Sequence, residues 1–599
     1  MSPVPPPAAT IRINMSDKTI RIKQLLTAWS AAVDGTSHPQ PPAYNGPDVT
    51  ITRFTEKTSE VEPGAAFVAR VRTGSDGHPY IGDAIARGAS LILAQRPAAE
   101  VGVTVPPGVA YVQVPDTAVA LAWLSAAWEG FPSRQLAVVG ITGTDGKTTT
   151  ANILFNVLRA AGIRAGLLST IKADIGGTEE LLELHVTTPE SPVVQRYLRR
   201  MVDAGLTHCV LETTSHALAQ HRAAAVDFDL AVVTNITHEH LDYHGSYEAY
   251  FAAKRRLFEY LLADIIRVPS LNEYKVALRR TAVLNRDDQS FAALDEFMVR
   301  RAVDVAYYGN EGEPGRKGAG DDSLFVSASD IEYGPYETAL TLRIPGAEPL
   351  AVRAPLPGAF NVHNMLAASA AARVLGVSPA AIRDGLESIT YLSGRMERID
   401  RGQPFLVVVD FAHTPNALAR AIEAARGRIR EQGSRGAGEQ GSGGEEQGPL
   451  SPLPPFAPSA EGRVITVFGS AGKRDVEKRR LMADISARTA DLTVLTAEDP
   501  RTESLDEILA MMAGAATAAG GVEGETFWRV PDRGRAIHFA LSLARPGDIV
   551  LICGKGHEQS MCFGAVEYPW DDREATQAAL DAWLAGQPMA DLGLPTFAE

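Results

Sequence analysis

The chain has 599 residues, of which 45% are hydrophobic and 22% are charged, so a large folded core is expected and disorder of the whole chain is excluded. A formal net charge of −15 argues against a nucleic-acid binder that works through a basic surface. Three scattered cysteines exclude a disulfide framework or a zinc site built on cysteine, and they favour a reducing compartment.

The N-terminal stretch MSPVPPPAATIRIN has neither the apolar core nor the cleavage signal of a secretory peptide. We predict a disordered leader over residues 1–18, and Met15 is a second candidate for the start. No run approaches the roughly 20 apolar residues of a spanning helix, so we expect no membrane insertion and a cytoplasmic protein. A small mixed α/β domain is predicted over residues 19–133, before a break at GFPSR.

Short apolar runs alternate with helical patterns after residue 134. The runs are unbroken, which is typical of parallel strands covered by helices on both faces. We therefore predict two further α/β domains, over residues 134–393 and 394–599. Strands are predicted at residues 136–142, 208–212, 230–235, 405–410, 464–469, 491–496 and 548–554.

One stretch of the third domain has almost nothing to bury. Residues 431–462 consist mainly of Gly, Pro, Ser and Glu. Such a composition predicts a flexible surface insertion. A second, shorter insertion is expected at residues 263–280.

The first central strand leads into a glycine-containing loop, Gly143-Thr-Asp-Gly-Lys-Thr-Thr-Thr150, and then into a helix predicted over residues 148–161. Glycines let a backbone wrap closely around phosphate oxygens, and a helix N-terminus adds free N–H groups. Lys147 can reach β- and γ-phosphates, and Thr148 can bind Mg²⁺. The alternative is a glycine-rich turn with a surface lysine, which the strand before and the helix after disfavour.

Polar residues close the next two strands. Glu212 ends one strand, and Asn235 ends the other, just before Thr-His-Glu-His-Leu-Asp-Tyr-His244. Ligands of open α/β sheets bind at the carboxyl ends of strands. Glu212 and His240 are therefore candidate ligands of a metal near a triphosphate. A zinc site or a plain polar loop is the alternative for the histidine-rich segment, although zinc prefers nitrogen and sulfur ligands and the groups nearby are oxygens.

A lysine falls on the apolar face of the helix predicted over residues 246–262. Lys254 lies between Tyr250 and Phe258 at helical spacing, where an unpaired ammonium is costly. Three outcomes are open from the pattern: the head snorkels to solvent, it pairs with a carboxylate, or CO₂ converts the amine to an anionic carbamate able to hold Mg²⁺.

The motifs of this chain, taken in order, resemble those of the Mur ligases, the ATP-dependent amide-forming enzymes of peptidoglycan synthesis. The nearest type adds the third, diamino residue to UDP-N-acetylmuramoyl-L-Ala-D-Glu. Each motif is weak alone, but their shared order is specific. The resemblance rests on PGAAFVARVRTGSDGHPYIGDAIARGA, GTDGKTT, TTPE, ETTSHALAQHR, TNITHEHLDYHG, YFAAKRRLF, LNRDD, LPGAFNVHNMLAA, SGRMERI, VDFAHTP, FGSAGKRDVEKR, EDPRTE and GKGHE.

The resemblance implies a fold and a set of ligands. The first domain is expected to bind the uridine nucleotide, the second to be a parallel-sheet ATPase of the P-loop type, and the third to be a Rossmann-like domain that binds the incoming amino acid. ATP and Mg²⁺ are the expected cofactors, and the partners are UDP-N-acetylmuramoyl-dipeptide and a diamino acid. A monomer is expected.

The resemblance also implies residue roles. The positions expected around ATP are Gly143, Thr144, Asp145, Gly146, Lys147, Thr148, Thr149, Asn364, Arg395 and Asp410. Magnesium is expected at Thr148, Glu212, His240 and a carbamylated Lys254, and the expected catalytic residues are Lys147, Glu212, His240 and Lys254. The muramoyl-dipeptide is expected at Thr187, Thr188, Thr214, Gln220 and Arg222. The diamino acid is expected at Asp499, Arg501, Gly554 and Glu558.

Four places depart from the family pattern, and one of them is Glu239, which replaces an Asp. Lys57-Thr58-Ser59 stands where the family has Asp-Ser-Arg, and Asp145 stands where Asn is usual. The family's Asp-Asn-Pro-Arg is Glu-Asp-Pro-Arg here, so that Asp499 replaces the Asn. A carboxylate at 499 repels a second substrate carboxylate unless Arg501 screens it, and it favours an amine. Diaminopimelate is therefore disfavoured, and lysine and ornithine are open.

The implied reaction is amide formation driven by cleavage of ATP, through an acyl phosphate on the D-Glu carboxylate. Two alternatives stand beside it. One is another amide ligase of the superfamily, such as a different Mur step or a folylpolyglutamate synthase, which a substrate panel discriminates. The other is a non-catalytic nucleotide-binding relative, which predicts losses at Lys147, Glu212, His240 or Lys254, whereas all four residues are present.

Overall fold

A computed structural model of the chain describes residues 18–72, 74–170, 172–181, 188–237, 241–262, 275, 277–310, 324–334, 337–389, 394, 396–436, 462–556 and 558–597. The leader predicted over residues 1–18, apart from its last residue, lies outside this range. So do residues 437–461 of the predicted insertion. Within the described ranges, no helix is long and apolar enough to cross a bilayer.

The helices are α1 (Ile22–Val33), α2 (Ile81–Ala86), α3 (Thr117–Trp128), α4 (Lys147–Ala160), α5 (Ser191–Asp203), α6 (Ser215–Ala219), α7 (Leu241–His244), α8 (Tyr247–Leu262), α9 (Phe291–Val299), α10 (Ala359–Val374), α11 (Pro379–Glu387), α12 (Pro415–Gly436), α13 (Val476–Thr489), α14 (Leu505–Ala518), α15 (Arg533–Leu543) and α16 (Asp572–Leu584). Helix α12 continues to Gly436, so the first residues of the predicted insertion are helical. Its Glu, Gln and Arg residues are good helix formers.

The strands of the first third of the chain are β1 (Ile20–Arg21), β2 (Thr50–Ile51), β3 (Arg53–Thr55), β4 (Ala65–Val68), β5 (Val71–Arg72), β6 (Ser75–Asp76), β7 (Leu91–Ala94) and β8 (Ala110–Gln113). Strands β3, β4, β7 and β8 form a parallel sheet in that order. Helices α1 and α3 bury Trp29 and Trp123 in the core beside it, with their rings stacked 6.1 Å apart. The strands β5 and β6 form a separate hairpin.

The middle of the chain contains β9 (Ala137–Thr142), β10 (Ala165–Leu168), β11 (Lys172–Ile175), β12 (Thr178–Leu181), β13 (His208–Glu212), β14 (Leu230–Val233), β15 (Thr281–Asn285), β16 (Asp304–Asn310), β17 (Phe325–Tyr333), β18 (Thr338–Arg343) and β19 (Leu350–Ala354). They form one sheet in the order β12-β11-β10-β13-β9-β14-β15-β16-β17-β18-β19. The stretch from β10 to β17 is parallel, and both flanks are antiparallel.

The strand order of this sheet reverses at β9. After β9, the chain first forms β10 and β13 on one side of β9 and then β14 and β15 on the other side. A crevice forms outside the carboxyl ends of parallel strands at such a switch point, and ligands bind there. The glycine-containing loop at residues 143–150 is predicted to bind phosphate, and we call it the phosphate-binding loop. It lies with Glu212 and Asn235 at these strand ends, so the topology places all three at one edge.

The last third contains β20 (Glu397–Ile399), β21 (Leu406–Asp410), β22 (Val464–Phe468), β23 (Leu492–Leu495), β24 (Phe527–Arg529), β25 (Ile549–Cys553), β26 (Ser560–Phe563) and β27 (Val566–Pro569). Six of them form a sheet in the order β20-β21-β25-β22-β23-β24, which is parallel except at β20. Helices cover both faces of this sheet, with separate cores on each side. The predicted α/β fold class is confirmed, while the bounds of the three domains stay predictions.

The antiparallel flank β17-β18-β19 was not predicted. Buried and half-buried residues alternate along β18, because one face of this flank lies against α10 and α11. Our prediction relied on unbroken apolar runs, which mark strands buried on both faces and miss strands of this kind.

Candidate active site

The phosphate-binding loop is shaped by two glycines in left-handed or extended positive-φ conformations. Gly146 has φ of 81° and precedes the first residue of α4. A Cβ at Gly146 would lie 2.2 Å from Oδ1 of Asn364, so only glycine fits. Asn364 also accepts a hydrogen bond from the hydroxyl of Thr150 at 3.3 Å. The loop and α10 are therefore in direct contact.

The loop is tied to the end of β14. The backbone N–H of Asp145 donates to Oδ1 of Asn235 at 3.0 Å, and the N–H of Thr144 donates to the backbone oxygen of Asn235 at 2.7 Å. Lys147 folds back and donates to the backbone oxygen of Thr144 at 2.7 Å. Thr149, also expected near ATP, is buried in the first turn of α4. These contacts hold the loop in shape and leave the half-buried lysine amine beside it.

Glu212 is the carboxylate at the centre of the site. It is 1% exposed, and its two oxygens accept hydrogen bonds from the hydroxyl of Thr148 at 2.9 and 3.0 Å. The N–H and the hydroxyl of Thr170 each donate to Oε2 at 2.9 Å. A buried carboxylate and a threonine hydroxyl are thus directed to one point.

This oxygen pair fits Mg²⁺. Magnesium is bound in nucleotide sites by one or two carboxylates together with substrate phosphates and water, so a single carboxylate beside a P-loop hydroxyl suffices. The described residues contain no group of three or more His, Cys, Asp or Glu that would suit a soft or multi-histidine metal site. His240, the third predicted ligand, lies outside the described residues.

Lys254 lies on the buried side of α8, as its position in the apolar stripe predicts. It is 1% exposed, and its Nζ donates to the backbone oxygen of Gly143. The amine also lies 4.6 Å from the centre of the Tyr250 ring, whose hydroxyl is 2.9 Å from that of Thr144. The snorkelling alternative is therefore wrong: the amine faces the phosphate-binding loop from inside the protein.

The residues expected around the muramoyl-dipeptide adjoin Glu212. The hydroxyl of Thr188 donates to the backbone oxygen of Glu212 at 3.0 Å and accepts from the N–H of Thr214 at 3.1 Å. Thr214 caps α6. Arg222 donates to the backbone oxygen of Thr188 at 2.7 Å and to Oε1 of Gln220 at 2.8 Å. Four of the five predicted positions are thus linked, and the fifth, Thr187, lies outside the described residues.

The expected amino-acid pocket lies at the carboxyl ends of β23 and β25. Asp499 and Arg501 both adopt left-handed backbone conformations, with φ of 37° and 54°. The backbone of Arg501 is bonded to the β26-β27 hairpin, through Cys562 and Gly564. A Cβ on Gly554 would lie 2.6 Å from Oε2 of Glu498, so the glycine lets that buried acid approach.

Lys555 is the residue that sequence reasoning missed. It is 1% exposed, and its Nζ lies 3.0 Å from Oδ1 of Asp499 and 2.6 Å from Oε2 of Glu558. Burial disfavours its charge, but the two carboxylates outweigh that cost and raise the pKa of Lys555 above its usual value. The partner of Asp499 is therefore Lys555 rather than Arg501. The sequence signal that could have revealed this residue is the lysine within the GKGHE motif.

A buried ion pair contacts the start of both loops of the pocket, the one that begins at Glu498 and the one that begins at Gly554. Arg533 and Asp572 are fully buried and 2.7 Å apart. The guanidinium donates to the backbone oxygens of Ala497 and Cys553, at 3.2 and 2.8 Å, which immediately precede Glu498 and Gly554. Asp572 also accepts from the N–H of Gly556 at 3.2 Å. One ion pair thus fixes the start of both pocket loops.

Removing one partner of this pair is expected to destabilise the protein. Asp572→Asn leaves the Arg533 guanidinium buried without a carboxylate, which costs about 3–5 kcal/mol. Asp581→Asn, in the same helix and in an exposed pair with Arg401, is the matched control and is expected to change stability by less than about 1 kcal/mol. Urea unfolding followed by circular dichroism measures both. Equal midpoints for the two variants would contradict the argument.

Asp410 ends β21 in the six-stranded sheet. Its carboxylate accepts from the backbone N–H groups of Met396 and Ala412, at 2.7 and 2.8 Å, and so orders the two loops beside it. From the helix that follows, Arg420 reaches Asp145 of the phosphate-binding loop at 3.5 Å. Arg395, the third position expected near ATP beside Asn364 and Asp410, lies outside the described residues.

The chain matches two family models, the Mur ligase middle domain over residues 141–372 and the Mur ligase glutamate ligase domain over residues 454–556. A UDP-N-acetylmuramyl-tripeptide synthetase from Roseiflexus sp. (strain RS-1) is 39% identical over 523 residues, which are 87% of this chain and 92% of the relative. A UDP-N-acetylmuramoyl-L-alanyl-D-glutamate–2,6-diaminopimelate ligase from Geobacillus thermodenitrificans is 35% identical over 90% of this chain and 96% of its own length.

Two solved structures of Mur ligases have the same fold as this chain. The structure of a UDP-N-acetylmuramoyl-L-alanyl-D-glutamate–2,6-diaminopimelate ligase superimposes with a TM-score of 0.54 at 25% identity, covering 95% of this chain and all of the other. A MurF ligase from Thermotoga maritima in complex with ADP shares the fold, with a TM-score of 0.52 at 20% identity over 89% of this chain and 98% of the other. The chain belongs to the Mur ligase family. This confirms the resemblance and the expectation that the protein is an enzyme, a ligase of this family.

Proposed function

We propose that the protein joins a diamino acid to UDP-N-acetylmuramoyl-L-Ala-D-Glu, at the cost of ATP cleaved to ADP and phosphate. The observation that carries this proposal is the double role of Glu212. Its carboxylate is bound by Thr148 of the phosphate-binding loop, while its backbone oxygen is bound by Thr188 of the expected muramoyl-dipeptide site. One residue thus joins the place where phosphate is cleaved to the place where the acceptor carboxylate lies.

The first step is in-line attack of the D-Glu side-chain carboxylate on the γ-phosphorus of ATP. The P–O bond to ADP breaks, and an acyl phosphate forms. Lys147 neutralises charge on the phosphates after its amine leaves the backbone oxygen of Thr144 and binds the phosphate oxygens instead. Positioning and electrostatic stabilisation supply the catalysis in transfers of this kind.

Magnesium would be held by the hydroxyl of Thr148 and the carboxylate of Glu212, with His240 as a further ligand. When bound, it supplies charge neutralisation at the phosphate oxygens. We propose that Lys254 contributes as a carbamate. Its amine is buried beside the phosphate-binding loop. A carbamate on this amine would place an anionic oxygen ligand there, although the residue is neither Asp nor Glu.

The second step is attack of the amine of the diamino acid on the acyl carbon. A tetrahedral intermediate forms and collapses with loss of phosphate, and the amine loses a proton. The pocket of Asp499, Arg501, Gly554 and Glu558 would orient the amino acid. This pocket faces the ATP site only if the C-terminal domain lies against the central domain. The contact of Arg420 with Asp145 supports that arrangement. Closure protects the acyl phosphate from water.

The charges of the pocket favour a diamino acid with a single carboxylate, such as lysine or ornithine. Lys555 is already shared by Asp499 and Glu558. The guanidinium of Arg501 makes no ion pair or hydrogen bond with any other residue that the structure describes. It can therefore receive one substrate carboxylate, whereas a second one meets Asp499.

Replacing Asp499 by the amide is expected to change this preference. Asp499→Asn removes a negative charge and frees one side of Lys555, so the ratio of kcat/KM for meso-diaminopimelate to that for lysine is expected to rise about tenfold. Asp506→Asn, at the exposed start of α14, is the control and leaves the ratio unchanged. Phosphate release with each amino acid measures the ratio. An unchanged ratio in Asp499→Asn would show that this carboxylate does not select the substrate.

The function itself is tested by supplying the purified chain with ATP, Mg²⁺, UDP-N-acetylmuramoyl-L-Ala-D-Glu and, separately, lysine, ornithine and meso-diaminopimelate. Phosphate release that depends on both the nucleotide substrate and one diamino acid is expected, with a tripeptide product of matching mass. The proposal is overturned if phosphate release needs neither the nucleotide substrate nor a diamino acid. It is also overturned if no phosphate is released with any of the three amino acids.

A further inference from the structure

Glu498 is a buried acid beside the expected amino-acid pocket. The residue follows β23 and is 7% exposed. Its Oε2 is buried and makes no hydrogen bond with any residue that the structure describes. Buried polar groups are nearly always paired, and leaving a carboxylate oxygen unpaired costs free energy. The unpaired oxygen therefore indicates that a ligand or a water molecule completes the site.

Two glycines fix the direction of the Glu498 side chain. A Cβ on Gly469, which follows β22, would lie 2.7 Å from Cβ of Glu498, so the side chain begins against that backbone. A Cβ on Gly554, which follows β25, would lie 2.6 Å from Oε2, so the carboxylate ends against the second backbone. The side chain thus lies across the carboxyl ends of two neighbouring strands, where α/β sheets bind ligands.

The charge around Glu498 indicates a cationic ligand. Burial raises the pKa of Glu498, because it disfavours the charged carboxylate. Three cations offset part of this rise, and they are Lys478, Arg533 and Lys555. None of them donates to Oε2, since Arg533 lies 2.7 Å from Asp572 and Lys555 is held between two other carboxylates. An ammonium group brought by a ligand would therefore stabilise the charged form of this acid.

The length of residue 498 distinguishes this chain from the family pattern. Asp-Asn-Pro-Arg of the family is Glu-Asp-Pro-Arg here, so the first carboxylate is carried on one more methylene. The relative from Geobacillus thermodenitrificans is named for 2,6-diaminopimelate, a compound whose two amines are joined by five carbons. An acid that is one methylene longer leaves room for a substrate that is one methylene shorter. It therefore suits a diamino acid whose amines are joined by four carbons.

We infer that Glu498 binds the ammonium group of the substrate that does not react, and that its length selects ornithine over lysine. This inference rests on the proposed function for the reaction and for the pocket. Ornithine is a 2,5-diamino acid and lysine is a 2,6-diamino acid, so the two differ by the one methylene that Glu498 itself supplies. The family resemblance does not assign Glu498 to the diamino acid.

The two ends of the substrate are held by one loop, and that loop is tied on both sides. Arg501 receives the single carboxylate in the proposed function, and Glu498, three positions earlier, receives the distal ammonium. The N–H of Gly472 donates to the backbone oxygen of Asp499 at 2.9 Å, and the N–H of Arg501 donates to that of Cys562 at 3.0 Å. The loop cannot shift to admit an extra methylene without losing such bonds.

The test compares ornithine with lysine as substrates of the full-length protein, with ATP, Mg²⁺ and UDP-N-acetylmuramoyl-L-Ala-D-Glu present. Phosphate release gives kcat/KM for each amino acid. The wild type is expected to use ornithine about 10- to 100-fold better than lysine, the usual effect of one methylene in a fitted pocket. Glu498→Asp keeps the charge and restores the shorter acid, so it is expected to lower this ratio at least about tenfold.

Two further variants separate the charge of this acid from its length. Glu498→Gln keeps the length and removes the charge, so it is expected to raise KM for both amino acids while leaving KM for ATP unchanged. Glu507→Asp shortens an exposed acid in the first turn of α14 and is the matched control. It is expected to keep the wild-type ratio of ornithine to lysine.

Two outcomes overturn the inference. A wild type that uses lysine as well as ornithine, or better, would show that the longer acid does not shorten the pocket. An unchanged ratio in Glu498→Asp would show that another group sets the length of the substrate. Both outcomes include phosphate release and leave the proposed function standing. Absence of release with ornithine, lysine and meso-diaminopimelate alike would instead refute the proposed function, and the inference with it.

Discussion

Lys254→Ala is expected to lower kcat by about 10³-fold or more, the size of several kcal/mol of transition-state stabilisation. The residue is 1% exposed on α8, and its amine donates to Gly143 of the phosphate-binding loop. If the working group is a carbamate, short carboxylic acids such as acetate or propionate are expected to restore part of the rate, because they return an anionic oxygen ligand to the cavity left by the side chain. Phosphate release is the measurement.

Arg255→Ala provides the control for this experiment. Arg255 is the next residue of the same helix and pairs with Glu259 at the surface. Its loss is expected to change kcat less than twofold. Full activity of Lys254→Ala would exclude any role of the amine or its carbamate in turnover. Loss of activity without rescue, together with a wild-type rate that does not depend on CO₂, would instead assign the amine to holding the loop in shape.

Glu212→Gln is expected to lower kcat by about 10²- to 10³-fold, because the amide keeps the size of the side chain and removes its negative charge. Hydrogen bonds from Thr148 and Thr170 can still reach the remaining carbonyl oxygen, so the strand end is expected to keep its shape. The dependence of ATP affinity on Mg²⁺ is the discriminating readout. It is expected to weaken in the variant, while ATP affinity without magnesium is unchanged.

Glu259→Gln, an exposed change in α8, serves as the matched control and should leave both quantities as in the wild type. Should Glu212→Gln retain the magnesium dependence of ATP binding, then the Thr148 and Glu212 oxygen pair does not hold the metal. The assignment of this point as the magnesium site would then have to be abandoned, although the family membership would stand.

The central part of the candidate site was predictable because its signals are local in sequence. The glycine loop between a strand and a helix, and the carboxylate at the end of the next strand, depend only on strand ends meeting at one edge of a parallel sheet. Glu212 and Thr148 do meet there. The burial of Lys254 was also readable, because helical spacing alone places it in an apolar stripe.

Other features depend on contacts between distant segments, and no local pattern reveals them. The pairing of Asp499 with Lys555 joins residues 56 positions apart, and we had considered only Arg501 as a cation able to screen that carboxylate. Arg533 and Asp572 lie on different helices, and charged residues are seldom fully buried, so no sequence pattern marks them as a pair at 0% exposure. The contacts of Arg72 with Glu56 and Glu190 likewise join residues from the first and the middle third of the chain.

The contact of Arg420 with Asp145 has a thermodynamic consequence. Both side chains are partly exposed, so the pair is worth about 0.2–1 kcal/mol at most. Phosphates entering the loop compete with Asp145 for this guanidinium or add to the anionic charge that attracts it. By linkage, the factor by which bound nucleotide shifts the docking of α12 equals the factor by which docking shifts nucleotide affinity. A change at residue 420 is therefore expected to alter the ATP dissociation constant.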